Sequence, residues 1–263
     1  MTHTSADKLN ETRIADLDMY LTRMQRSILD KMFFIDKVFE PFTHIVDFGC
    51  ANGELIKALQ AMCGEYTYVG YDISQEMIDA ARRNVPQASF FSDWQQIDAP
   101  FQSSLLNISS TLHEVYSYGT AQDVAQFWQR VFGSGFRYIT VRDMMLSEKE
   151  DRPADAAALR IVREDTVYAP QRADYEAERG RIRTQKDLVH YLLKYKYTTN
   201  WAREVRENYV PLSVEAFYAL IPDTYRVVYA EHVTLPYLAW QVRKDFSIEL
   251  RTPTHLKIIL QKA

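Results

Sequence analysis

The run Ile45-Val46-Asp47-Phe48-Gly49-Cys50-Ala51-Asn52-Gly53 places an apolar stretch, a carboxylate and two glycines directly before Glu54 to Cys63, which reads as a helix. A buried strand enters a tight turn and leaves as a helix. Glycines let the backbone approach a ligand closely, and the unpaired N–H groups of the new helix favour electron-rich partners. Tyr68-Val69-Gly70-Tyr71 forms a second apolar run ending in Asp72. That carboxylate stands about twenty residues past the glycines, where nucleotide-type sites hold ribose hydroxyls. A third run, Ser89 to Ser92, ends in Asp93-Trp94. Three consecutive strands are thus expected to end in acidic residues along one edge of a sheet.

Asp47 to Gly53, Tyr71-Asp72 and Ser92-Asp93-Trp94 together resemble the first three motifs of the class I S-adenosylmethionine-dependent methyltransferases. The resemblance covers Thr43 to Asp143 motif by motif and is topological beyond it. It implies an α/β fold, a Rossmann-like seven-stranded and mostly parallel sheet flanked by helices, and S-adenosyl-L-methionine as cofactor. Carried over, Asp47, Gly49, Cys50, Ala51 and Gly53 line the methionine part of the cofactor. Asp72 takes the ribose, Ile73 and Met77 offer apolar surface near the adenine, Asp93 takes the adenine amino group beside Trp94, and Ser109 closes the set. The family often has glycine where this chain has Ala51, so that backbone is expected at negative φ or mildly strained.

The rest of the chain repeats strand and helix. Ser74 caps a helix that Pro86 ends, and Ser104 to Ser110 is a continuous apolar run suited to a central parallel strand. Thr120 and Asp123 form a capping box for a helix to Gly133, and Phe136 to Val141 is the next strand, ending in Arg142-Asp143. Tyr225 to Leu235 and His255 to Leu260 would complete the sheet as an antiparallel pair, with a helix over Pro236 to Phe246 between them. Apolar residues from Leu17 to Phe39 at helical spacing predict N-terminal helices stopped by Pro41, either packed on the sheet or closing over the cofactor. The expected organisation is an N-terminal helical segment over 1–41, a cofactor-binding half over 42–143, a helical lid inserted after the fifth strand over 144–211, and the remainder of the core over 212–263.

The chain has 263 residues, 47% hydrophobic and 25% charged, with a formal net charge of -4, which argues against a strongly basic nucleic-acid footprint. Two cysteines, Cys50 and Cys63, read as free thiols in a reducing compartment. The polar start and the lack of any long apolar run predict no leader and no membrane span, hence a cytoplasmic protein.

Methyl transfer needs alignment and sometimes a base. Ser109-Ser110-Thr111-Leu112-His113-Glu114-Val115-Tyr116-Ser117-Tyr118, after the fourth strand, is where such chemistry is sought. His113 is the candidate base, or else a residue shaping the pocket, and Glu114 could orient it or bind a cationic substrate. Tyr116, Tyr118, Arg142 and Tyr20 are candidate substrate contacts, Arg142 being alternatively a salt-bridged anchor. His113-Glu114 lacks a second histidine at zinc spacing, so no metal is expected. The fourth strand also lacks both the Asn/Asp-Pro-Pro-aromatic motif of base-amine methylation and a cysteine for covalent attack on pyrimidines. The expected substrate is a small, partly aromatic molecule methylated on oxygen or nitrogen. Two alternatives stand beside it: RNA methylation gripped by the arginines and tyrosines of the insertion, and a cofactor-binding scaffold without turnover.

Overall fold

A computed structural model of the chain describes residues 27–263. Seven strands form one sheet in the order β3-β2-β1-β4-β5-β7-β6. These are β1 (His44–Phe48), β2 (Thr67–Tyr71), β3 (Ser89–Phe91), β4 (Ser104–Ser109), β5 (Tyr138–Met144), β6 (Tyr225–Val233) and β7 (His255–Lys262). The first five run parallel, and β7 lies antiparallel to both β5 and β6. The order reverses between β1 and β4, and a crevice at the carboxyl ends of the strands opens where such a reversal occurs.

Successive residues of a strand face opposite sides, and the core divides accordingly. Val46, Phe48, Val69, Leu106, Ile108, Ile139 and Val141 join one apolar cluster. Ile45, Tyr68, Leu105, Tyr138 and Ile259 join another on the opposite face. Phe127, Trp128 and Val131 of α5 (Ala121–Gly133) and Phe217 of α10 (Val214–Leu220) cover the first face. The second is covered by α1 (Ile28–Lys31) with Met32 to Phe34 after it, α2 (Glu54–Met62) and α3 (Gln75–Asn84). All six residues of β4 are buried, as a central parallel strand requires. Each fully buried Leu or Ile there is worth roughly 1.5–3 kcal/mol of transfer free energy.

Two boundaries differ from the sequence expectation. Among the described residues the N-terminal helix ends at Lys31 and gives way to hydrogen-bonded turns through Lys37 instead of continuing towards Pro41. Strand β5 runs on to Met144, because Arg142 and Asp143 pair with Lys257 and Leu256 of β7. Those two residues belong to a strand, and the pleat sends their side chains to opposite faces.

After β5 the chain builds α6 (Ala156–Glu164), α7 (Ala169–Arg179), α8 (Gln185–Lys194) and α9 (Trp201–Glu204). These helices have an apolar core of their own, shared with α11 (Pro236–Phe246) and with Ile248 and Leu250. Tyr175, Tyr191, Tyr195 and Tyr209 lie inside it. The helix α4 (Leu112–Tyr118) follows β4 and stands between the sheet and this helical layer.

Candidate active site

The turn after β1 is shaped by its neighbours. Gly49 N–H and Cys50 N–H both donate to the Tyr71 carbonyl that ends β2, at 2.8 and 2.9 Å. Gly49 has φ +77°, and a Cβ there would lie 2.5 Å from Thr111 Oγ1, so conformation and space both demand glycine. Ala51 takes φ +45°, the strained of the two expected alternatives. Left-handed backbone costs about 1–2 kcal/mol for a residue with a Cβ. It is held there by its N–H, which donates to Asp72 Oδ2 at 2.9 Å.

Asp72 also accepts from Ser74 N–H at 2.9 Å. Burial pushes its carboxyl up to about 6 despite these two hydrogen bonds. A carboxylate has about four lone-pair positions, so acceptor capacity remains for a diol. Ile73 beside it is 72% exposed, and Met77 is half-buried on α3. Asp93 is exposed and caps the short helix after β3 through Gln95 N–H. The Trp94 ring is committed to packing among Phe48, Tyr71, Phe101 and Phe136. Cys50 is buried, with its thiol held far above the ordinary range by burial, and it fills the space over Gly70, where a Cβ would meet its Sγ at 2.8 Å.

A polar row supports the turn from beneath. Asp47, Asn107 and Thr140 occupy one register across β1, β4 and β5. Asn107 Nδ2 donates to Asp47 Oδ1 at 2.7 Å, and Thr140 Oγ1 donates to Asn107 Oδ1 at 3.0 Å. Burial raises Asp47 to about 6, opposed by the Asn107 bond and the Lys31 charge. Lys31 is 4% exposed at the end of α1, and burial lowers its ammonium to about 8.

The strongest arrangement lies at the ends of β4 and β5. Asp143 is 1% exposed and accepts from Leu112 N–H at 2.7 Å and Met144 N–H at 2.8 Å, while His113 Nδ1 lies 2.9 Å from its Oδ1. Burial would raise Asp143, yet the imidazole and the backbone donors bring it below the ordinary carboxylate range. An ionised Asp143 fixes Nδ1 as a donor. Burial alone would lower His113, and the Asp143 charge and hydrogen bond more than offset this, raising it to about 9. His113 is 7% exposed, and its Nε2 has no hydrogen bond among the described residues. Nearby, Ser110 adopts φ +57°. Ser109 Oγ and Asn52 Oδ1 are buried without a hydrogen-bond partner.

The remaining sequence candidates have other partners. Glu114 does not orient His113; its carboxylate pairs with Arg203 of α9 at 2.7 Å. Arg203 also pairs with Glu207 at 2.7 Å, and Tyr118 hydroxyl donates to Glu207 at 2.8 Å. Tyr116 hydroxyl accepts from Trp128 Nε1 at 2.8 Å. Arg142 is 4% exposed, pairs with Asp30 at 2.7 Å and donates to Ser110 Oγ at 2.6 Å, which is the geometry of an anchor. Tyr20 lies outside the described residues. The sequence reading missed Asp143, Lys31 and the Arg203–Glu207 pair. Only the Arg142-Asp143 dipeptide at a strand end hinted at the first.

Residues 45–139 match the family model described as a methyltransferase domain. Over those residues the chain carries a methyltransferase domain. This methyltransferase is similar in fold to an S-adenosylmethionine-dependent methyltransferase from Mesorhizobium loti, at 18% identity and TM-score 0.52, over 90% of this chain and 97% of that one. Two further structures are a plantazolicin methyltransferase, BamL, in complex with a triazolic desmethylPZN analog and SAH, and the methyltransferase domain of bacterial CtHen1-C. The first gives 14% identity, TM-score 0.49, and 93% and 87% coverage. The second gives 13% identity, TM-score 0.48, and 92% and 99% coverage. No curated protein matches the sequence.

The residues of the methyltransferase fit its cofactor. The cradle at Gly49 would be filled by a Cβ, Asp72 retains acceptor capacity beside the exposed Ile73, and two buried polar atoms, Ser109 Oγ and Asn52 Oδ1, await a partner. Among the described residues no group of three His, Cys, Asp or Glu is arranged to hold a metal ion, and no helix is long and apolar enough to cross a membrane.

Proposed function

We propose that this enzyme methylates an oxygen or nitrogen of a small, partly aromatic molecule in the cytoplasm, with His113 and Asp143 handling the proton that the acceptor loses. The observation that carries the reading is the buried His113–Asp143 pair at the end of β4, with Nε2 left for a substrate. The cofactor supplies an electrophilic methyl group when bound. Gly49, Ala51 and Gly53 line its methionine part in this reading, Asp72 its ribose, and Ile73, Met77 and Asp93 its adenine. Asp143 holds the imidazole in one orientation and stabilises the imidazolium formed when Nε2 takes a proton. A neutral acceptor beside neutral imidazole and an anionic acceptor beside imidazolium carry the same number of protons. An acceptor that enters as its conjugate base is therefore served by the raised proton affinity of His113. Tyr116 and Tyr118 form walls on α4, while Glu114 and Arg142 act through Arg203 and Asp30 as anchors of the surrounding layers.

The insertion gives RNA binding no support. Its buried tyrosines pack against one another in T-shaped and tilted pairs, and Arg172 and Arg179 are spent on backbone carbonyls of the same layer. The test is incubation with methyl-labelled cofactor and a size-fractionated cell extract. Label in the small-molecule fraction that disappears with His113→Gln is the expected result. Label in RNA or protein would refute the substrate class, and no transfer to any fraction would favour a scaffold without turnover.

A further inference from the structure

Residues 203–209 of the inserted layer are fastened to the helix that carries His113. Leu112, Val115 and Tyr116 turn one face of α4 to the sheet core, and helical spacing puts His113, Glu114, Ser117 and Tyr118 on the other. All four meet the insertion. Glu114 pairs with Arg203, and Tyr118 hydroxyl donates to Glu207. Ser117 Oγ accepts from Asn208 N–H at 2.7 Å and donates to the His113 carbonyl at 2.6 Å. The His113 and Tyr209 rings meet edge to face, with centroids 5.3 Å apart and planes at 67°.

Tyr209 is itself held at three points, all within the inserted layer. Its N–H donates to His190 Nε2 at 3.1 Å, and His190 Nδ1 lies 2.9 Å from the Tyr175 hydroxyl. That hydroxyl donates to the Asp187 carbonyl, so it accepts from Nδ1–H, and Nε2 is left as the acceptor that Tyr209 needs. Burial and the Lys194 charge hold His190 well below its ordinary range, as this neutral form requires. Lys194 Nζ stands 4.3 Å from the centroid of the Tyr209 ring and donates to the carbonyls of Glu204 and Glu207. The Tyr209 hydroxyl donates to the Glu204 carboxylate.

The χ2 torsion of a histidine is broad, and one hydrogen bond at Nδ1 restrains the tilt of the ring only softly. A flat wall fixed from three sides restrains it further. We propose that Tyr209 is a positioning residue that aims Nε2 of His113 at the acceptor, so that the inserted layer completes the site. This rests on the reading that His113 handles the acceptor's proton. The charges around the imidazole come from Asp143 of β5, Glu114 of α4 and Glu207 of the insertion, with His255 of β7 within their reach. Tyr209 adds none, since burial and Glu204 keep its hydroxyl protonated. Replacing it therefore alters the aim of the ring more than its proton affinity.

The test follows methyl transfer from labelled cofactor into the small-molecule fraction of a cell extract, together with S-adenosylhomocysteine calorimetry and carbon-13 spectra of the histidine rings. Tyr209→Leu keeps apolar volume and removes the flat wall. It is expected to slow transfer ~10–100-fold at saturating extract and to bind S-adenosylhomocysteine within about twofold of wild type. The pH midpoint of His113 should stay within about 0.5 of wild type while its ring resonances broaden. Tyr209→Phe retains the ring and should keep most of the rate. Ser117→Ala unhooks Asn208 without touching the Tyr209 ring; it should slow transfer ~3–10-fold, and it carries the test if Tyr209→Leu does not fold. Equal losses in Tyr209→Leu and Tyr209→Phe would overturn the proposal in favour of the hydroxyl, and lost S-adenosylhomocysteine binding would overturn it in favour of general packing. His113 resonances as sharp in Tyr209→Leu as in wild type would overturn it whether or not an acceptor is found. Wild-type transfer by His113→Gln would instead defeat the reading beneath it.

Discussion

Replacing Asp143 by asparagine should move the titration of His113 further than any other single change in this molecule. In the wild type, burial works against the imidazolium, and the Asp143 carboxylate 2.9 Å away reverses the balance, raising the pKa from its ordinary 6.5 to about 9. At ~1.4 kcal/mol per tenfold change in proton affinity, that rise amounts to about 3 kcal/mol in favour of the charged ring. Asp143→Asn removes the charge and keeps the shape. Burial then outweighs the smaller contributions of Glu207 and Glu114, and His113 should titrate at 6.5 or lower. The assay needs no substrate: carbon-13 resonances of the six histidine rings are followed from pH 5 to pH 10, with His113→Gln supplying the assignment. His190 and His255 are held low by burial and will not be confused with it. A wild-type His113 midpoint below 7, or one unmoved by Asp143→Asn, would refute the coupling.

The same pair predicts a pH dependence of stability. A folded pKa above the unfolded one stabilises fully below 6.5 and loses that contribution as pH rises to about 9. The unfolding free energy from denaturant titrations should therefore fall by up to about 3 kcal/mol across that window in a manner that His113→Gln flattens. Gly49→Ala should cost ~1–3 kcal/mol through the collision with Thr111 and the φ of +77°. Adding Thr111→Ala should recover the steric part and leave about 1 kcal/mol, read as melting temperatures. Arg203→Ala removes the partner of Glu114 and of Glu207, the latter 3% exposed. It should cost ~3–5 kcal/mol and open residues 185–211 to limited proteolysis, with Arg203→Lys intermediate.

Local signals carried much of this fold. The apolar run into Asp47, the glycines and the carboxylates at Asp72 and Asp93 are set by strand and turn chemistry within a few residues. So are the capping box at Thr120 and the helix over Pro236–Phe246, and the parallel pairing of β1 to β5 follows from the alternation of strand and helix. What escaped depends on distant pairing. Asp143 reads as a strand end until β7 is laid beside it, and its bond to His113 spans 30 residues. Arg203 and Glu114 are 89 residues apart, so Glu114 looked like an orienting partner for its neighbour. Lys31 sits among apolar positions of an amphipathic pattern, where a lysine ordinarily marks the solvent side. The tyrosines after β5 alternate with charges in sequence, yet helical spacing turns Tyr175, Tyr191 and Tyr195 inward to a core of their own. The positive φ of Ala51 follows from the Asp72 carboxylate, which lies 21 residues away.

Titration of S-adenosylhomocysteine into wild-type protein, Asp72→Ala and His113→Gln tests most directly whether cofactor holding and proton handling occupy separate parts of one site. Binding to the wild type and to His113→Gln with similar heat, and loss of binding in Asp72→Ala, is the predicted result. Equal binding by Asp72→Ala, or loss of binding in His113→Gln, would contradict it.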